Sequence, residues 1–290
     1  MAKYEIYFDH SVKDFNTFKI GGKAKYIVII YDIDTLYKVC NDCILHNIKY
    51  KVIGLGANLL FDDDGYNGAI IVNKCRHIIV DGDSIIANSG TPMCDIINTA
   101  YLHSLSGLEH LIGIPATLGG AIVNNLGSNG EICDIVEHVE CFIHNNPSHH
   151  QTLLSEQCNF GYRNSVFRSG NYVITSVKLR LRHDDMINIR DRMSYHLNHK
   201  ITSQPIEQYS AGSVFKRSTL IPSKIIDELG LKGYSIGDAQ ISTKHAGFII
   251  NKGNASTKDV KLLIGHIKAA VKAKYNIELS TEIEFISDKF

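Results

Sequence analysis

Two glycine-rich segments carry the first chemical hint in this sequence. Gly54-Leu55-Gly56-Ala57-Asn58-Leu59 follows a strand-like YKVIG run, and Gly113-Ile114-Pro115-Ala116-Thr117-Leu118-Gly119-Gly120 lies in a stretch, 107–130, of small and apolar residues. Glycine lets a backbone come close to a diphosphate, and successive N–H groups can form an anion nest. Either loop alone reads as readily as a tight turn; two in one half of a chain suit an extended diphosphate ligand. Neither is a G-x-G-x-x-G opening a helix. The first runs into Asp62, Asp63, Asp64 and Gly65, which disfavours a Rossmann crossover, and no Walker lysine motif occurs. Cys40 and Cys43 form a C-x-x-C, but inside a predicted helix over 35–47 and with no second pair, so they read as small helix residues one turn apart. The odd total of 7 cysteines points to reduced thiols. The 14 histidines are dispersed, His149-His150 in a polar, solvated HNNPSHH loop, and no H-E-x-x-H occurs, so no metal is expected.

The elements that must position these loops alternate along the chain. Strands are expected at 25–31, 50–54 and 69–72, with a helix over 34–47. Residues 77–88 read as a hairpin turning at Asp81-Gly82-Asp83, and Thr91 as the cap of a helix running to about 104. Strands return at 136–144 and 172–181. A polar helix over 185–199 leads to the Gln204-Pro205 break, taken as a domain boundary. Beyond it come a helix over 221–229 with Pro222 in its first turn, a strand at 247–251, an amphipathic helix over 257–275 with Val260, Leu263, Ile264, Ile267 and Val271 on one face, and a closing strand over 277–286. A length of 290 residues suggests two domains. Lys plus Arg and Asp plus Glu balance at 30 each, which leaves no footprint for nucleic acid or an anionic membrane. No apolar run approaches the ~20 residues of a membrane span, and the N-terminus MAKYEIYFDHS lacks a signal-peptide core; a cytoplasmic protein is expected.

Seven motifs then occur in register from about residue 10 to 286: NTFKIGG at 16–22, GLGANLL, GLEHLIGIPATLGGA, FGYRNS, AGSVFKR, GLKGYSIGDAQISTKHAGFIIN and ELSTEIEFI. Together they resemble the UDP-N-acetylenolpyruvoylglucosamine reductases of bacterial peptidoglycan synthesis, in their shorter subtype. The resemblance implies an α+β fold: a two-subdomain FAD-binding domain of the vanillyl-alcohol-oxidase (PCMH) type over 1–200, its subdomains 1–74 and 75–200, then an α+β substrate-binding domain over 201–290. It implies FAD held by Gly54, Leu55, Gly56, Ala57, Asn58 and Leu59, by Gly113, Ile114, Pro115, Ala116, Thr117, Gly119 and Gly120, and by Asn125. NADPH is the implied co-substrate, and a monomer is expected.

The implied reaction reduces an enolpyruvyl double bond, leaving an enolate that needs a positive partner at its carboxylate and a proton donor at its α-carbon. Arg163 matches the family's enolate-stabilising arginine, and a guanidinium fork suits a carboxylate. Ser213 matches the proton-donating serine. Alternation along a strand would put Glu282 and Glu284 on one side and cannot choose between them; the resemblance picks Glu282. Tyr162, Lys216, Arg217 and His245 fall in matched motifs and would handle the nucleotide sugar. Ala57 stands where the family has serine, Ala116 where it has glycine, and Asn124, Ser128 and Asn129 replace methionine, alanine and tyrosine. The Ala116 methyl is tolerated only at negative φ. Rival readings are a flavin oxidase of the same fold acting on a sugar or alcohol, and a non-catalytic nucleotide-sugar sensor; intact Arg163, Ser213 and Glu282 argue against the sensor.

Overall fold

The computed structural model describes residues 4–217 and 220–288; the first three residues of the N-terminal stretch read above lie outside them. In chain order the strands and helices begin β1 (Tyr4–Ser11), β2 (Lys23–Ile30), α1 (Ile33–Leu45), β3 (Tyr50–Ile53), β4 (Leu59–Phe61), β5 (Tyr66–Asn73), β6 (Ile78–Asp81), β7 (Ser84–Asn88) and α2 (Met93–Leu102). They continue with β8 (Leu105–Ser106), α3 (Leu118–Val123), β9 (Val136–Ile143), β10 (Asn146–Leu154), β11 (Tyr172–Arg180), β12 (Arg182–His183), α4 (Met186–Ser203) and β13 (Tyr209–Ser213). Last come α5 (Pro222–Glu228), β14 (Ser235–Ile236), β15 (Ala239–Ile241), β16 (Phe248–Asn251), α6 (Thr257–Tyr275) and β17 (Glu284–Ile286). The fold is α+β, with sheets ordered β1-β2-β5-β3, β10-β9-β11-β7-β6 and β13-β16-β15-β14.

The chain groups into two compact units that interleave in sequence: one of Met1–Tyr7, Ile27–Leu55 and Gly68–His199, the other of Phe8–Tyr26, Gly56–Asn67 and Lys200–Phe290. Compactness thus divides the chain differently from the contiguous 1–200 and 201–290 split, because two short N-terminal stretches pack their side chains into the later residues' core. In the first unit, Ile85, Met93, Ile96, Leu118, Ile122, Val139 and Val177 form one apolar cluster. In the second, Phe18, Ile20 and Leu60 join Ile226, Val260, Leu263 and Ile267.

Local chemistry accounts for most elements. The β6–β7 hairpin closes with Asp81 opposite Ser84 across Gly82-Asp83, and Gly82 takes φ +57°, which that two-residue turn demands. Helix α6 starts on a capping box between Ser256 and Asp259 and stops at Asn276 in the left-handed region. Its Val260, Leu263, Ile264, Ile267 and Val271 are all buried, each worth roughly 1.5–3 kcal/mol of transfer free energy. Cys40 and Cys43 lie on the buried face of α1, their thiols pushed up by burial to about 12 and about 11, so neither is poised for redox work.

Three expectations need correction. Thr91 does not cap α2: Pro92 holds that position, and the Thr91 hydroxyl donates to the His77 carbonyl at 3.3 Å. Only His144-Asn145 of the HNNPSHH segment form a turn; from Asn146 on, His149 and His150 included, the segment belongs to an edge strand, β10, rather than a loop. Its register slips between Asn146 and His150, so the bulge absorbs Pro147, and His150 stacks on Tyr37 of α1 with ring centroids 4.5 Å apart. Both histidines are nonetheless exposed. Of the closing strand over 277–286, only Glu284–Ile286 is strand, in parallel with β4. The preceding residues change partner instead, Thr281 bridging Phe215.

Candidate active site

In the first unit the two glycine loops touch. A Cβ on Gly54 would fall 2.1 Å from Thr117 Oγ1, 2.9 Å from its Cγ2 and 3.0 Å from its Cβ, so the end of β3 can lie against the second loop only without a side chain. Thr117 is buried and caps α3, its hydroxyl accepting from the Gly120 N–H at 3.4 Å. The Gly119 N–H donates to the Ser89 carbonyl at 2.8 Å and the Met93 N–H to the Ala116 carbonyl at 2.9 Å, which pins the second loop to the start of α2. Ala116 is absent from the positive-φ residues, so the condition for its methyl is met.

Gly56 belongs to the second unit. It takes φ +62°, and a Cβ there would sit 2.5 Å from the Phe15 carbonyl oxygen. The NTFKIGG segment makes this wall: the buried Asn16 amide donates to the carbonyls of Val12 (2.8 Å) and Ile20 (3.1 Å). In each unit by itself, protein packs where the glycine side chain would go, so the loop stays bare backbone, the chemistry from which an anion nest for a diphosphate is built.

Asn125 follows α3 at φ +42° and is fully buried. Its amide donates to Glu131 Oε2 (2.7 Å) and the Gly161 carbonyl (3.0 Å) and accepts from the Cys133 N–H (3.2 Å), so it ties the small-residue stretch to the turn that bears Arg163. That turn is closed by reciprocal 3.0 Å bonds between Gly161 and Asn164. Arg163 sits in it at φ +51°, a strained backbone for a side chain this large. Its Nη2 donates to the Gly127 carbonyl at 2.6 Å, and the guanidinium lies 5.2 Å from the centre of the exposed Tyr162 ring. The substituted Asn124 has found its own role, accepting from Arg168 Nη1 at 2.7 Å.

The second unit brings Ser213, Lys216, Glu282 and Asn58 together. Strand β13 slips register against β16 between Ser210 and Ser213, with Gly212 at φ +76°, so a glycine bulge re-aims Ser213. The strand direction then continues: the Val214 N–H donates to Gly247, the Glu282 N–H to the Val214 carbonyl at 2.8 Å, and the Lys216 N–H to Ser280 at 2.9 Å. Arg217 is exposed next to Lys216, which is half-buried. His245 Nδ1 accepts from the Gly247 N–H at 3.1 Å, which leaves Nε2 as the protonated nitrogen of the neutral ring. Burial holds this imidazole below its ordinary value. Arg163 and Tyr162 thus belong to one unit and Ser213, Lys216, Arg217, His245 and Glu282 to the other. The bulge and the partner switch at Glu282 had no strong sequence signal beyond Gly212.

Among the described residues no cluster of His, Cys, Asp and Glu could hold a metal ion, and no helix is long and apolar enough to cross a membrane.

Residues 24–145 match the family model described as an FAD binding domain, and residues 204–286 match the C-terminal domain of UDP-N-acetylenolpyruvoylglucosamine reductase. The fold and the paired loops therefore define an FAD-binding flavoprotein. The chain is 37% identical to the UDP-N-acetylenolpyruvoylglucosamine reductase of Clostridium novyi, over 100% of its own length and 94% of the relative's. It is 39% identical to that of Thermotoga petrophila, over 92% and 93%. A solved UDP-N-acetylenolpyruvylglucosamine reductase from Thermus caldophilus superposes with TM-score 0.83 at 31% identity, covering 98% of this chain and 99% of that one. The chain belongs to the UDP-N-acetylenolpyruvoylglucosamine reductase family: it is an FAD-containing oxidoreductase.

Proposed function

We propose that this enzyme reduces the enolpyruvyl group of UDP-N-acetyl-3-O-(1-carboxyvinyl)-glucosamine to UDP-N-acetylmuramate with NADPH, in the cytoplasm, as a step of peptidoglycan precursor synthesis. The observation that carries the reading is the 2.8 Å bond from the Glu282 N–H to the Val214 carbonyl, which sets the acid's segment against the strand of Ser213. Family membership over the full chain supports it.

FAD, held by the two glycine loops and Asn125, would supply the hydride-transfer chemistry between NADPH and the methylene carbon of the enolpyruvyl group. The protein's residues then manage charge and a proton. Arg163 meets the substrate carboxylate as negative charge moves onto the enolate; its bond to the Gly127 carbonyl holds the guanidinium aimed. Ser213 donates its hydroxyl proton to the α-carbon, and the bulge at Gly212 sets the direction of that hydroxyl. Glu282 lies beside the reacting carbons, its backbone anchored on both sides. Lys216 and Arg217 supply cations for the diphosphate, and Tyr162 and His245 contact the nucleotide sugar. Gly54, Leu55, Gly56, Ala57, Asn58, Leu59, the 113–120 loop and Asn125 build the cofactor's cradle. The functional domains on this reading are 1–200 and 201–290, and the enzyme acts as a monomer.

Anaerobic stopped-flow absorbance at the flavin band tests it. NADPH bleaches the flavin, and recovery follows addition of the enolpyruvyl nucleotide sugar. Recovery on admitting oxygen alone refutes the assignment.

A further inference from the structure

Glu282 stands where its segment changes partners. On its N-terminal side the segment runs along the Ser213 strand, with Thr281 bridged to Phe215 and the Lys216 N–H donating to Ser280. On its C-terminal side β17 pairs in parallel with β4, Glu284 opposite Leu59. One residue spans the change. Asn58 accepts the Glu284 N–H on its main-chain carbonyl at 2.9 Å, and its side-chain Nδ2 donates to the Glu282 carbonyl at 3.2 Å. Both backbone groups of Glu282 are therefore spoken for. Its N–H goes to the strand of the proton donor, its C=O to the loop that follows Gly56.

We propose that Asn58 is a positioning residue: its side-chain amide fixes the main chain of Glu282 and, through the Glu282–Val214 and Lys216–Ser280 bonds, the orientation of the Ser213 strand. The inference rests on the functional reading above and deepens it. Asn58 then has a second duty beyond its place in the cofactor loop, and the chemistry explains why an amide stands there. The residue must donate to a carbonyl two positions away from the N–H that its own backbone receives. A serine is too short for that span, and an aspartate would set a second acceptor against the Glu282 carbonyl.

Its consequence is an uneven kinetic defect. Asn58→Ala and Asn58→Asp, assayed with saturating added FAD, should slow recovery by the enolpyruvyl nucleotide sugar at least tenfold more than they slow bleaching by NADPH, Asn58→Asp being the worse. Equal slowing of both half-reactions, or a defect confined to FAD affinity, overturns the proposal. Hydrogen exchange on the FAD-free protein reads the same role without turnover: the amides of Glu282 and Lys216 should lose protection in both variants while those of α6 keep theirs. Unchanged protection at Glu282 overturns it. Absence of sugar-dependent recovery in the wild-type enzyme would defeat the functional reading alone, and the exchange result would still decide whether Asn58 positions Glu282.

Discussion

Substituting Gly54 by alanine should damage cofactor binding through space rather than through backbone conformation. Gly54 does not have positive φ, so alanine is conformationally acceptable there. The obstacle is Thr117, whose Oγ1, Cγ2 and Cβ would all lie 2.1–3.0 Å from the new methyl. Since the three atoms include both substituents on the threonine Cβ and the Cβ itself, no rotamer change of Thr117 clears the way. Apolar contacts settle at about 3.5–4.0 Å, so the loops must part by on the order of 1 Å. Overpacking of this kind costs ~1–3 kcal/mol. Expressed in FAD affinity that is roughly a 5–150-fold loss, and in thermal stability a fall of roughly 2–10 °C. FAD titration of the apoprotein by flavin fluorescence, with melting curves beside it, measures both. Thr117→Ala removes the two nearer atoms but also the cap on Gly120, which alone costs ~1 kcal/mol. The informative comparison is therefore the double variant against Thr117→Ala, where the Gly54→Ala penalty should shrink to a small fraction. Wild-type affinity and melting in Gly54→Ala, or an undiminished penalty in the Thr117→Ala background, would refute the close approach of the two loops.

Ser213→Ala should leave bleaching by NADPH within a few-fold of wild type and slow sugar-dependent recovery by ~10²–10⁴, the usual worth of a positioned proton donor; stopped-flow separates the halves, and equal losses would mean the role is misassigned. Arg192→Ala strands the buried Glu109, whose carboxyl burial would raise but whose bonds to its own N–H, the Gly107 N–H and Arg192 hold below the ordinary value. A loss of about 3 kcal/mol by urea denaturation is expected, the low end for a broken buried pair because Arg192 is itself partly exposed. His245 has its folded value depressed by burial, so the unfolded chain binds the proton more readily. Its contribution is complete above the unfolded value of ~6.5 and is lost as pH falls through the lower folded value. His245→Gln should flatten the melting temperature between about pH 7 and 5 relative to wild type.

Local elements were legible in the sequence because they rest on nearest-neighbour chemistry, and the enzyme family because seven motifs resemble it in register along the chain. The Asp81-Gly82-Asp83 turn and the 3.6-residue apolar spacing of α6 depend on a few adjacent residues. The glycine loops were legible as loops, since no other residue tolerates what Gly56 must do. The interleaving of the compact units was not legible, because it depends on Phe18, Ile20 and Leu60 finding a core built from residues some 150 or more positions away, and hydrophobicity carries no address. The Thr91 cap failed for a related reason: a competing bond to His77, supplied by the fold, took its hydroxyl. Alternation could not separate Glu282 from Glu284 because that argument needs a regular strand, and Glu282 lies where the chain trades one partner for another. What the sequence alone determined was which residue types stand at which motif positions, and hence the family and its cofactor. The tertiary structure alone decided the contacts around them: Thr117 against Gly54, the Gly127 carbonyl against Arg163, and the Asn58 amide on the Glu282 carbonyl. Each joins residues far apart in the chain, through a backbone group or a shape that every residue shares and no sequence pattern marks.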